Sequence, residues 1–159
     1  MTAFGLSVCT FLTQAQTLQE GIQMFTYERF ETAKQQLQPL ATEALANYYL
    51  GLSELALENT AGAKAIFQKF PEDAANLSGI ARVMIMESKV PEAMSMLTKI
   101  ASKARKKDWL PYKYAADAIT YTEGGDLNTA VEWYKKALEV ERTGDVYIGL
   151  GDAYRKMLG

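Results

Sequence analysis

Histidine is missing from this 159-residue chain, and cysteine occurs once. The first absence removes histidine metal ligands and every catalytic constellation built on an imidazole. A lone cysteine forms no disulfide framework within the chain and leaves the redox compartment open. An excess of one charge is missing too. Lys and Arg number 17 against 19 Asp and Glu, a formal net charge of −2, so nothing basic tracks a nucleic-acid backbone. Prolines number 4, and no apolar run is long enough to span a bilayer. What is present is 48% hydrophobic and 23% charged, the composition and length of one ordinary domain with a real core.

The N-terminus departs from that average. MTAFGLSVCTFLTQAQT carries no charge, and its apolar residues Phe4, Leu6, Val8, Phe11 and Leu12 give way to Gln14-Ala15-Gln16. Residues 1–15 therefore read as the apolar stretch and small-residue cleavage region of a secretory signal, cut before Gln16, with residues 16–159 as the domain. The basic start of such a signal is absent, since the first basic residue is Arg29. A lipoprotein cleavage at Leu6-Ser7-Val8-Cys9 would place Val8 where a small residue is expected. The alternative is a first helix belonging to the fold, in a cytoplasmic protein. On the export reading the localisation is periplasmic, in a bacterium.

The rest of the chain repeats itself. RFETAKQQL, TAGAKAIFQKF, VPEAMSMLTKI and LNTAVEWYKKA place Ala33, Ala63, Ala93 and Ala130 at steps of 30, 30 and 37. Four residues after each lies Leu37, Phe67, Leu97 or Tyr134. Twelve residues before each lies a second small residue, Gly21, Gly51, Ala81 or Ala118, and Gly151 follows 33 later. Two small-residue series in one phase predict a repeated pair of helices of about 12–14 residues, neither able to bury its apolar face alone. Small residues mark where the helix axes approach, and apolar residues at i, i+3/4 and i+7 form the buried stripe. Breakers fall between: Asn59-Thr60 with Gly62, Pro71, Pro91, Pro111 and Gly124-Gly125-Asp126. The spans expected are 16–26 with 29–38, 43–57 with 61–70, 74–87 with 91–106, 111–123 with 127–141, and a final helix over 144–157. That last helix is either a cap or the point where a longer array is cut, and its mixed outer surface favours the cut.

These residues resemble the tetratricopeptide repeat family over about 16–158. Tyr121, Ala130, Tyr134 and Ala137, then Leu150, Gly151 and Tyr154, fall on motif positions, and Leu50, Gly51, Ala63 and Phe67 do so earlier. The chain departs from the family's 34-residue period, which implies shortened turns in the first pairs and a longer third unit. Phe70 and Ile100 also replace a small residue after the second helix. The resemblance implies an all-α fold, a right-handed superhelical solenoid of about four helix-turn-helix repeats plus a final helix.

Chemistry is sparse by comparison. Lys99, Lys103, Arg105, Lys106 and Lys107 crowd one stretch, which reads as a solvated helix end rather than a patch for an acidic partner. The carboxylates Glu20, Glu28, Glu31, Glu43, Glu54, Glu58, Glu72 and Asp73 are scattered, with no acid/base couple. GLSELALENTAG and YTEGG lack the strand–loop–helix context of a phosphate loop. Met84, Met86, Met94 and Met96 read as core filling. No enzyme activity, cofactor or metal is expected.

Function then has to come from surface shape. The resemblance implies a concave strip made by the first helix of each pair, carrying Thr26, Tyr48, Leu52, Arg82, Met86, Tyr112, Ile119 and Glu123. Such a groove takes a peptide or a partner's helix. It lacks the Lys and Asn pairing by which some family members clamp a terminal carboxylate, and Tyr48 stands where a Lys would be needed. On this strip Tyr48, Leu52 and Ile119 are the expected apolar anchors, and Arg82 is expected to meet a carboxylate or carbonyl. The reading is an interaction scaffold for a protein or peptide partner. The alternative is the N-terminal docking or sensor arm of a larger protein whose activity lies outside this chain.

Overall fold

A computed structural model describes residues 17–159. The export signal expected over residues 1–15, and Cys9 with it, lie outside the described residues. Everything regular among the described residues is helical, and the helices come in pairs. The first helix, α1, covers residues 17–26. It is followed by α2 (Phe30–Leu37) with a short 3-10 turn (Gln38–Leu40), α3 (Ala44–Ala56), α4 (Thr60–Phe67), α5 (Ala74–Met86), α6 (Val90–Ala101), α7 (Leu110–Thr120), α8 (Leu127–Val140) and α9 (Gly144–Leu158). None of the described helices is long and apolar enough to cross a membrane.

One turn geometry recurs. Glu28, Glu58 and Ser88, thirty residues apart, all adopt left-handed backbone with φ of 58°, 63° and 63°. Around Glu58, its N–H donates to Leu55 O (3.1 Å) and Asn59 N–H to Glu54 O (2.9 Å), the paired bonds of a Schellman motif. The same pair closes α1, from Glu28 to Phe25 and Arg29 to Met24, and α5, from Ser88 to Ile85 and Lys89 to Met84. Glycine is the residue that usually holds this position, because a Cβ is unfavourable there. Two glutamates and a serine hold it here. Starts are more conventional. Asn59 Oδ1 accepts from Gly62 N–H (3.0 Å), Asp73 Oδ1 from Asn76 N–H (2.9 Å) and Asp126 Oδ1 from Asn128 N–H (3.1 Å). Pro91 and Pro111 occupy first turns, where a missing N–H costs nothing.

Three helices end sooner than their spacing predicts, α4 at Phe67 and not 70 among them. α6 stops at Ala101, not 106, because a helix through Lys103, Arg105, Lys106 and Lys107 would stack like charges one turn apart. Residues 102–109 form an irregular connection with a bridge between Arg105 and Asp108. Together with the extra turn of α6 this connection absorbs the residues that lengthen the third spacing to 37. α7 stops at Thr120, not 123, and Gly124 (φ 94°) helps to turn the chain toward α8.

The chain divides into two compact units, residues up to Phe70 and Pro71–Gly159. In the first, Ala33, Leu37, Leu40, Ala46 and Leu50 are buried together, flanked by Leu18, Met24, Phe25, Tyr49 and Ile66. A Cβ added to Gly21 would lie 2.7 Å from Leu37 Cδ2, and one on Gly51 would lie 2.4 Å from the Phe67 ring. In each case a large side chain of the second helix, sixteen residues on, sits directly on the backbone of the first. Lys34 Nζ of α2 meets Glu54 Oε1 of α3 at 2.8 Å, and Asn59 Nδ2 donates to Glu54 Oε2 at 2.8 Å. Burial alone would raise the Glu54 pKa, but these two donors outweigh it and hold the carboxyl below its usual value. In the second unit the core runs through Ala81, Ala93, Leu97, Ile100, Ala115, Ala116, Ala118, Ile119, Ala130, Tyr134 and Ala137 to Val146 and Ala153. Here the sixteen-residue partners are Ala81 with Leu97 and Ala118 with Tyr134, all fully buried.

Two outcomes follow from this packing. Gly51→Ala drives a methyl into the Phe67 ring and is expected to destabilise the chain by about 1–3 kcal/mol. Gly151→Ala meets nothing within 4 Å and should stabilise α9 by about 0.5–1 kcal/mol. Urea unfolding of the two variants checks both signs. For Glu54, a folded-state pKa below the unfolded one gives stability that is present above the usual glutamate range and lost as pH falls through the folded value. Glu54→Gln should therefore be less stable than wild type at pH 7, with the difference closing below about pH 4, read from melting temperatures across that range.

Candidate functional site

The second unit carries a connected set of polar side chains along α5, α7 and α9, helices that lie side by side. Asp117, near the middle of α7, is buried. Its Oδ1 accepts from the Tyr134 hydroxyl of α8 (2.6 Å), and its Oδ2 pairs with Lys113 Nζ one turn earlier (2.5 Å). A carboxylate taken out of water needs such donors, or burial becomes prohibitive. Burial first, and then the Asp117 charge, push the Tyr134 hydroxyl pKa far up, so it stays protonated and donates. The Tyr134 ring also fills the space over Gly149 of α9, where an added Cβ would lie 2.6 Å away. One tyrosine thus joins α7, α8 and α9.

The C-terminal end of α7 is held from both sides. Arg82 of α5 donates Nη2 to Tyr121 O (2.8 Å) and Nε to Thr122 Oγ1 (3.1 Å). Lys156 of α9 donates to Thr120 O (2.7 Å) and lies 5.9 Å from the centroid of the Tyr121 ring. The last carbonyls of a helix lack intrahelical partners and carry its negative dipole end, so two cations from neighbouring helices suit them. The Tyr121 hydroxyl donates to Asp152 Oδ2 (2.8 Å), whose Oδ1 accepts from Arg155 Nη2 (2.9 Å). Burial, and then the bond to Asp152, raise the Tyr121 pKa well above the ordinary tyrosine value.

The residues expected to line a groove divide between the two units. Arg82, Met86, Tyr112, Ile119 and Glu123 lie in the second unit; Thr26, Tyr48 and Leu52 lie in the first. Three expected anchors prove to be core. Tyr48 is 3% exposed, with its ring against those of Tyr49 and Phe67, and Leu52 is 6% exposed. Ile119 is fully buried, packed beneath Gly125. Tyr48 is covered by the Phe67 ring of the following helix, and Ile119 lies on α7, which has neighbours on both sides in α5 and α9. Tyr112 is half-buried against the second unit's core. Thr26 is exposed, and its hydroxyl donates to Ile22 O. Arg82 braces α7 instead of offering a free cation. Met86, 49% exposed, and the exposed Glu123 remain open at the surface.

Tyr121, Asp152 and Lys156 were not among the expected site residues, because their meeting depends on how α7 and α9 pack. Lys113 and Asp117 did carry a local signal, an opposite-charge pair four apart on a helix. Among the described residues no group of acidic and sulfur side chains is arranged to hold a metal ion. Lys99 and Lys103 border a depression together with Glu72 and Glu92, so carboxylates share the surface with that run of cations.

Tyr134→Phe keeps the ring but removes the donor to a buried carboxylate, with an expected cost of about 1–3 kcal/mol. Tyr121→Phe removes a bond to the more exposed Asp152 and should cost about 1 kcal/mol or less. Chemical denaturation of the two variants in parallel checks the order.

No protein-family model matches the chain and no curated protein matches it, so what its surface does has to be read from this geometry.

Proposed function

We propose that this chain is a protein-interaction scaffold of the tetratricopeptide-repeat kind, binding a peptide or a partner's helix on the side formed by its first helices. Four helix pairs and a final helix, wound as a right-handed solenoid, are part of this reading. The identical left-handed turn at Glu28, Glu58 and Ser88 supports it, as does the sixteen-residue register of small and large residues.

One observation carries the functional step. In the second unit, Arg82 and Lys156 clamp the end of α7 from α5 and α9, while Met86 (49%) and Tyr121 (40%) remain substantially exposed beside that clamp. A surface whose backbone is already fixed loses little entropy on binding. Tyrosine is among the residue types that dominate partner affinity. Glu123 borders the same stretch and gives it an acidic edge.

Met86→Lys with Glu123→Lys alters this surface without touching the clamp. The protein most abundantly captured by the wild-type chain from its native extract should bind the double variant at least tenfold more weakly, with a melting temperature within about 2 °C of wild type. Equal affinity would place the binding surface elsewhere.

A further inference from the structure

The crowded cations Lys99, Lys103, Arg105, Lys106 and Lys107 do not form the helix end expected of them. α6 stops at Ala101, and only Lys99 lies on it. The other four fall on the irregular connection to α7, and all five are exposed. Asp108 N–H donates to Arg105 O (2.9 Å), closing a turn with Lys106 and Lys107 at its two central positions. None of the five side chains is in an ion pair with another described residue, although Glu72 and Glu92 border the same depression as Lys99 and Lys103. Elsewhere in the chain carboxylates outnumber Lys and Arg, so positive charge gathers on one connection of an otherwise acidic molecule. The residues that follow the turn are amphipathic. Trp109 is half-buried against the second unit's core and donates Nε1–H to Glu141 Oε2 (2.7 Å). Leu110, next in the chain, is 39% exposed.

We propose that the connection between α6 and α7 docks on an anionic lipid bilayer, with its cations among the phosphate headgroups and Leu110 entering the boundary between headgroups and acyl chains. The chemistry of the stretch favours a bilayer over other polyanions. A bilayer presents a plane of negative charge, and a cluster on one exposed turn meets it without fixed donor geometry. A nucleic acid needs cations along the path of its backbone, and an otherwise acidic chain repels it. An acidic protein segment is held tightly by positioned donors, and no carboxylate neighbour positions these five side chains. An exposed leucine flanking the cations adds apolar burial of the kind an interfacial segment uses. This docking does not require the Met86 surface.

Vesicle co-sedimentation of the full chain tests it. Binding is expected to phosphatidylcholine vesicles carrying about 30% phosphatidylglycerol, and it should be lost between about 0.05 and about 0.5 M salt. Each cation near such a surface contributes about fivefold, so Lys103→Gln, Lys106→Gln and Lys107→Gln together should weaken binding roughly thirtyfold or more. All three side chains are exposed, and the melting curve of this variant should match wild type. Leu110→Ala leaves the charge untouched and should weaken binding about threefold. Binding carried by the apolar residues 4–12 would appear equally on pure phosphatidylcholine, and equal binding there overturns the proposal. So does an affinity that either variant leaves unchanged. Tighter binding at the same salt to an RNA duplex or to polyglutamate would give the patch to a nucleic acid or an acidic protein, and overturn it equally.

Discussion

A large side chain seated on a residue with little or no Cβ is the contact on which these helix pairs depend. Leu37 on Gly21 and Phe67 on Gly51 bring two helix axes closer than side chains on both would allow. Tyr134 does the same work against Gly149 in the second unit. Close packing of this kind tolerates neither a cavity nor an added methyl. It also constrains the turn, because the two residues meet only if the connection delivers them sixteen positions apart. The left-handed residues at 28, 58 and 88 serve that requirement, and the packing they permit offsets the strain of a non-glycine residue there.

The second unit adds a polar seam to this apolar scheme. Asp117 would be costly to bury alone, but Tyr134 and Lys113 supply donors from two directions. Arg82 and Lys156 supply the carbonyls at the end of α7 with donors that its own backbone lacks. The seam therefore couples α5, α7, α8 and α9 through hydrogen bonds whose partners lie far apart in sequence. Breaking any one leaves a buried or half-buried polar group unmatched, which is dearer than the bond itself was worth. The same bonds fix the backbone at the end of α7, where Tyr121 stays 40% exposed.

Two surfaces thus differ in kind. Beside the α7 clamp the exposed residues are mixed, with an aromatic ring, a thioether and a carboxylate around a braced backbone. On α9 they are mostly apolar, with Gly151 at the position where Gly21 and Gly51 seat Leu37 and Phe67.

Periodicity made much of this readable in the sequence. The small-residue series at Gly21, Gly51, Ala81 and Ala118, matched by Ala33, Ala63, Ala93 and Ala130, determined the all-α class, the pairing and most helix limits, because each unit must hide the same stripe in the same way. Glu58 and Ser88 gave no sign of their left-handed backbone, since propensity points to glycine there and tertiary packing overrides it. The helix ends at Ala101 and Thr120 were hidden for a related reason: charge repulsion and the Gly124 turn decided them against the apolar period. Which expected groove residues stay open was beyond the sequence altogether. Tyr48, Leu52 and Ile119 have the pattern of a surface stripe on a single helix, yet tertiary packing buries all three. Arg82 reads as a free cation until α7 ends beside it. Local spacing fixes which face of a helix is apolar; only the packing of several helices fixes which apolar faces remain uncovered.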